Sequence, residues 1–324
     1  MSISQNDILA AASRLEKRVH HTPILRSRQL DKLCGAEIFL KTENLQRAGS
    51  FKIRGAYNTI SQLSDDEKRR GVISYSSGNH AQGVALASRM LGIAATIVVP
   101  NDIIETKRQA TEGYGAQLVK AGLTSADRKA KAEELCAQQN LTMIPPYDDE
   151  RIITGQSTVG LELMQDLPDL DAIVAPIGGG GLMAGIATAA RGMGRKLKVI
   201  GVEPQDADDT VRSLKAGSRQ RIEAPQTIAD GLRAVEPGEL TFPIIQKLVD
   251  DVVTVSDAAI LQTLVWLLER SKLLVEPSGA TALAALIDGR IVLPGARVGV
   301  IVSGGNISLT ALAGILSKRK AASG

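Results

Sequence analysis

The stretch DAIVAPIGGGGLMAGIATAARG, residues 171–192, carries the decisive pattern. Its strand-like part, AIVAP (172–176), is short and apolar throughout, which suits a strand covered on both faces rather than one with a wet side. Four consecutive glycines, Gly178 to Gly181, then turn the chain, and a segment of helical period follows. Outward from this unit the same rhythm recurs. The runs IFLK (38–41), GVIS (71–74), ATIVV (95–99), KVIGV (198–202) and VGVIV (298–302) alternate with longer helical segments. The pattern predicts an α/β protein with parallel sheets flanked by helices on both faces. No repeat, low-complexity tract or long linker divides the chain. A smaller lobe is expected over 71–147, a run of about three βα units closed by the turn signal PPYDD (145–149). Residues 1–70 and 148–324 then build the larger lobe together.

Bulk composition narrows the function classes. A chain of 324 residues has ample core for such a fold. With 44% hydrophobic and 23% charged residues it reads as globular rather than disordered. Aromatics at 2% argue against a base-stacking nucleic-acid module, and 38 basic against 35 acidic residues are too balanced to signal a polyanion partner. Cys34 and Cys136 form no CxxC pair and no disulfide framework, which suits a reducing cytoplasm. The N-terminus has no signal-peptide pattern and no segment approaches a membrane span. A soluble cytoplasmic protein is expected, with no membrane and no nucleic-acid partner.

Four glycine-rich or polar turns lie between a predicted strand or loop and a helix, where α/β proteins place ligands. For IGGGGLMAG (177–185) a dinucleotide loop is the first alternative, because Glu203 ends the next strand about 20 residues on, where a ribose-binding acid would stand. The spacing disagrees: after Gly178 and Gly180 the third fingerprint position is Met183, not Gly or Ala. Consecutive glycines at a helix N-terminus instead let backbone N–H groups converge on a single phosphate. In RAGSFKIRGAYN (47–58), Ser50 is suited to cap the following helix and Lys52 lies in its first turn, crowded by Phe51 and glycines. A lysine is ordinarily a solvated charge; burial would deprotonate it and make it a nucleophile. YSSGNHAQG (75–83) offers helix-start amides to a carboxylate, with His80 following the turn either as a structural residue or as a base. VSGGNIS (302–308) offers Ser303 at a strand end, either as a ligand contact or as a helix cap.

Together, SFKIRGA, SSGNHAQG, GGGGL, VEPQDADD, TIADG, VEPSGA and SGGN stand in the order found in the serine/threonine dehydratase and serine racemase family of fold-type II pyridoxal-phosphate enzymes. The chain closely resembles that family from about Thr22 to Asn306. The resemblance implies a two-lobed, tryptophan synthase β-like fold with a large cofactor-binding domain (1–70 and 148–324) and a small substrate-binding domain (71–147). It implies that Lys52 holds pyridoxal 5'-phosphate as a Schiff base, that Phe51 lies against the ring and that Asn79 meets its phenolic oxygen. Gly178, Gly179, Gly180, Gly181 and Leu182 would hold the phosphate. Ser303 would face the pyridine nitrogen, and a hydroxyl there leaves that nitrogen largely neutral, which favours β-elimination over a long-lived carbanion.

The implied reaction is dehydration of L-serine or L-threonine to a 2-oxo acid and ammonia, with Lys52 as base on the Cα proton. Ser76, Ser77, Asn79, His80 and Arg128 would contact the amino-acid substrate. Where threonine deaminases resemble SAGNH, this chain has Ser77, the position at which eukaryotic serine racemases carry the proton donor for the opposite face. This adds serine racemase activity, with Lys52 and Ser77 as catalytic pair. VEPQDADD (202–209) resembles that branch's divalent-cation site, with Glu203, Asp209 and the Ala207 carbonyl as ligands for Mg²⁺, Mn²⁺ or Ca²⁺; an acidic surface loop is the plain alternative. LRAVEPGELTFP (232–243) departs from the serine pair or Thr-Ser that related sequences often carry after TIADG, and Ser157 replaces a frequent glycine. Arg128 is placed to receive a side-chain carboxylate, so L-threo-3-hydroxyaspartate is an alternative substrate. A nicotinamide oxidoreductase and an inactive pyridoxal-phosphate or amino-acid binding protein are the rival classes. The resemblance also implies a homodimer.

Overall fold

The computed structural model describes residues 3–76 and 78–322. Its strands are β1 (Ile24–Arg26), β2 (Glu37–Thr42), β3 (Val72–Tyr75), β4 (Ala95–Val99), β5 (Gln117–Lys120), β6 (Thr142–Met143), β7 (Ala172–Pro176), β8 (Lys198–Pro204), β9 (Asp251–Val255) and β10 (Arg297–Val302). They form a six-stranded sheet ordered β1-β2-β10-β7-β8-β9 and a four-stranded sheet ordered β5-β4-β3-β6. All neighbours are parallel except β1, which runs antiparallel to β2 along the edge. The six apolar runs singled out in the sequence are β2, β3, β4, β7, β8 and β10.

Alternate residues of a strand point to opposite faces, and in the six-stranded sheet both faces meet helices. Ile38, Leu40, Val174, Val202, Val298, Val300 and Val302 enter one core. Phe39, Ile173, Ala175, Val199 and Ile301 enter the other. This double burial is why the runs read as apolar throughout. The four-stranded sheet repeats the arrangement on a smaller scale, with Val72, Ile97 and Val99 on one side and Ile73 and Val98 on the other.

A buried ionic cluster anchors the helix Lys52–Ser61. Arg54, fully buried, pairs with Glu43 at 2.8 Å and with Glu162 at 2.7 Å, and buried Lys41 reaches Glu162 at 2.8 Å. Two cations thus meet two carboxylates, so no charge is stranded; removing one partner from such a cluster costs about 3–5 kcal/mol. No helix among the described residues is long and apolar enough to cross a membrane.

Candidate active site

In parallel sheets, ligands collect beyond the carboxyl ends of the strands, and four of the singled-out turns lie there. The turn after β2 carries Lys52 and the turn after β10 carries Ser303. Because β2 and β10 are neighbours, the two turns are stitched by backbone bonds: Phe51 N to Ser303 O at 3.2 Å and Gly305 N to Gly49 O at 2.9 Å. Ser50 does not cap the helix, contrary to the expectation from sequence. The cap position is Phe51, with no side-chain bond, while Ser50 is extended (φ −164°) and bridges to Gly304. Its conformation is set by a partner 254 positions away rather than by the local turn.

Lys52 Nζ donates to Pro146 O at 2.7 Å and lies 5.2 Å from the centre of the Phe51 ring. Burial lowers its pKa to about 8, against a smaller opposing pull from the Glu276 carboxyl. A fraction of the amine is therefore free to act as a nucleophile near neutral pH. The Gly178–Leu182 turn follows β7 and opens the helix Gly181–Gly192. Gly180 is left-handed at φ 94°, a conformation that suits glycine alone, and a Cβ at Gly179 would strike the Tyr147 ring.

Phe51, Lys52, Ser76, Asn79, His80, Gly178 to Gly181, Leu182 and Ser303 line one cavity of about 260 Å³. Ser303 is buried, and its hydroxyl lies 3.4 Å from Ser278 O. Asn79 begins the helix Asn79–Leu91; its Nδ2 donates to Glu276 Oε1 at 2.5 Å and its Oδ1 accepts from Asn306 Nδ2 at 2.8 Å. His80 is buried with Nε2 3.0 Å from Ile144 O, and Nδ1 has no partner among the described residues. Burial, then the nearby Lys52 amine, drives its pKa down to about 3, so the imidazole is neutral. Ser77 lies outside the described residues.

A larger groove of about 1300 Å³ adjoins this cavity, and Arg128 lines both. Its guanidinium donates to Leu123 O at 3.2 Å and to Ser125 Oγ at 2.7 Å, while buried Nε has no partner among the described residues. Arg128 makes no ion pair among the described residues. Across the cleft, Lys107 reaches Asp230 at 2.6 Å.

Glu203, next to last in β8, accepts from Thr210 N at 3.0 Å and Val211 N at 2.9 Å, at the start of the helix Asp209–Ala216. Both oxygens of Asp209 are buried without a partner among the described residues, and Ala207 is buried in the intervening loop. Burial raises the pKa of each carboxyl, and the Glu203 charge raises that of Asp209 further. Among the described residues, no group of three or more His, Cys, Asp or Glu forms a metal cluster.

Glu276, Tyr147 and Ser278 also line the cofactor-sized cavity and were not assigned from the sequence. Glu276 and Ser278 belong to VEPSGA, a motif whose position was informative while its contacts were not. PPYDD reads locally as a turn, and only the fold brings Tyr147 against the glycines.

A family model described as pyridoxal-phosphate dependent enzyme matches residues 15–304. The chain is 42% identical to the L-threo-3-hydroxyaspartate ammonia-lyase of Saccharomyces cerevisiae over 97% of its length and 96% of that protein. It is 43% identical to a catabolic L-threonine dehydratase of Escherichia coli K12, over 96% of this chain and 95% of that one. Among solved structures, maize serine racemase superposes with a TM-score of 0.94 at 37% identity, covering 98% of both chains.

Proposed function

The chain belongs to the pyridoxal-phosphate-dependent enzyme family, and from that premise we propose that it dehydrates L-serine and L-threonine to 2-oxo acid and ammonia and also racemises serine. One observation carries this reading: a lysine with a burial-lowered pKa shares a cavity with a glycine-rich helix start and a neutral hydroxyl. Those residues fit the cofactor. The first N–H groups of the helix Gly181–Gly192 lack intrahelical acceptors and suit a phosphate. Lys52 suits the covalent link, Phe51 the ring face, Asn79 the phenolic oxygen and Ser303 the pyridine nitrogen.

When bound, pyridoxal phosphate supplies an electron sink that makes the substrate Cα proton acidic. Lys52, released when the substrate amine takes its place, would take that proton and pass it to the departing β-hydroxyl, which leaves as water; hydrolysis of the released enamine then gives the 2-oxo acid and ammonia. Ser76 and the amides opening the helix Asn79–Leu91 hold the substrate carboxylate, and neutral His80 offers Nδ1 as an acceptor. Ser77 serves the opposite face as proton donor. A yellow protein whose visible band is bleached by borohydride, releasing ammonia from L-serine, supports this reading. A colourless, inactive protein overturns it.

Arg128 favours a second substrate, L-threo-3-hydroxyaspartate. A buried guanidinium bonded only to neutral oxygens is suited to a ligand carboxylate. Arg128→Gln is expected to lower kcat/KM for 3-hydroxyaspartate by roughly tenfold or more while sparing L-serine. Equal effects on both substrates would remove Arg128 from substrate recognition.

We also propose a divalent cation, Mg²⁺, Mn²⁺ or Ca²⁺, at Glu203, Asp209 and the Ala207 carbonyl. Two unpartnered buried oxygens on Asp209 beside a second carboxylate lack the positive charge that would offset them. A cytoplasmic homodimer completes the proposal.

A further inference from the structure

We propose that Asn306 and Glu276 are positioning residues that fix which way the Asn79 carboxamide faces, with its nitrogen bound to Glu276 and its oxygen held by Asn306. Asn306 Nδ2 donates to Ala48 O at 2.7 Å and to Asn79 Oδ1 at 2.8 Å, and Asn79 Nδ2 donates to Glu276 Oε1 at 2.5 Å. The chain of bonds joins four segments: the turn before Lys52, the start of the helix Asn79–Leu91, the residue before the helix Pro277–Ile287 and the turn after β10. Its direction is forced from one end. A backbone carbonyl only accepts, so the Asn306 atom facing Ala48 O is the nitrogen. The same nitrogen faces Asn79, so the Asn79 atom that meets it is the oxygen. Nδ2 of Asn79 is thereby turned to Glu276, whose carboxyl keeps an accepting oxygen whether or not it is ionised.

One N–H of Asn79 is spent on Glu276, and the second is left to donate. Resting on the assignment of Asn79 to the cofactor's phenolic oxygen, this second hydrogen meets an oxygen that needs a donor. A flipped carboxamide would set N–H against N–H at Asn306 and oxygen against oxygen at Glu276. The relay is also walled in: a Cβ at Gly49 would strike the Asn306 side chain, and one at Gly304 would strike Glu276 Oε1. Neither end of the relay has room to rearrange around a wrongly turned amide.

The test titrates pyridoxal phosphate into the apo forms of wild type, Asn306→Ala, Asn306→Asp and Glu276→Gln. It follows the visible band and the pH at which that band interconverts with its near-ultraviolet form. A borohydride-sensitive band in the wild type establishes the cofactor reading separately. Asn306→Ala is expected to weaken cofactor binding roughly tenfold, and Asn306→Asp further, because it sets an acceptor against Ala48 O. Both are expected to move the spectral titration. Glu276→Gln keeps an accepting oxygen and is expected to stay within about threefold of wild type. Thermal melts of the apo proteins separate these effects from unfolding, and Asn306→Ala keeps the test open if Asn306→Asp does not fold. Wild-type affinity and titration in Asn306→Ala would overturn the proposal, as would a Glu276→Gln variant damaged as badly as Asn306→Asp.

Discussion

On the six-stranded side of the cleft, the turns after β2 and β10 are joined by backbone bonds, and Lys52 opens a helix braced by Arg54, Glu43 and Glu162. On the four-stranded side, β6 has two residues, β5 has both end residues exposed, and one core holds four buried hydrophobic residues: Ile73, Val98, Ala132 and Leu135. Arg128 on that side leans only on Leu123 O and Ser125 Oγ from its own turn. Local stability follows buried contact and bonding density. The side proposed for the cofactor is thus the more densely braced, and the side proposed for the substrate side chain the less. Relatives that differ in substrate by name, from threonine to 3-hydroxyaspartate, align over nearly the whole chain, as expected if the difference lies in a few residues of the looser wall.

The largest effect should come from the rigid wall. Lys52→Ala is expected to remove the visible band and lower ammonia release by about a thousandfold or more. Wild-type turnover and spectrum in that variant would dismantle the assignment of this wall to the cofactor. Ser77→Ala is expected to suppress serine racemisation at least about a hundredfold, the lower end for losing a positioned acid or base, with dehydration of L-serine falling far less. Enantiomer-resolved product analysis in deuterated water measures both. Equal loss of the two activities would make Ser77 a packing residue.

The pH dependence of cofactor capture sharpens the contrast. Lys52 is protonated below about 8 and neutral above it, and only the neutral amine attacks an aldehyde. Stopped-flow capture of free pyridoxal phosphate by apo-enzyme should level off above pH about 8 and fall roughly tenfold for each unit below. A midpoint near the ordinary lysine value of 10.5 would show that the wall does not bury its amine. The smallest effect belongs to the proposed cation site at Glu203 and Asp209. Chelation should lower the melting temperature by about 2–4 °C, and Glu203→Ala should be insensitive to chelator. A wild type indifferent to chelator and to added Mg²⁺ would leave Glu203 and Asp209 as buried carboxyls without a cation.

Legibility in the sequence followed the same division. The strands buried on both faces announced themselves as unbroken apolar runs, and Gly178 to Gly181 and Lys52 stood out because their chemistry is local. The weaker strands did not: β5 is QLVK, with polar ends, and β6 is too short to carry a pattern. Ser50 misled because a serine before a helix ordinarily caps it, whereas here its extended backbone is claimed by Gly304. Glu276 went unassigned for the reason that Tyr147 did, since each acquires its neighbours only when distant segments meet.

The central place of β10 between β2 and β7 orders the biogenesis of the protein. It is the last strand in chain order among the described residues, so until it emerges β2 has, of its two partners in the sheet, the three residues of β1. The 254 positions between Ser50 and Gly304 correspond to roughly ten to fifty seconds of synthesis at ordinary translation rates. Through that interval two apolar strand edges wait unpaired, exposed to association with other chains. The turn that carries Lys52 thus gains its backbone partners at Ser303 and Gly305 only once this strand has been made.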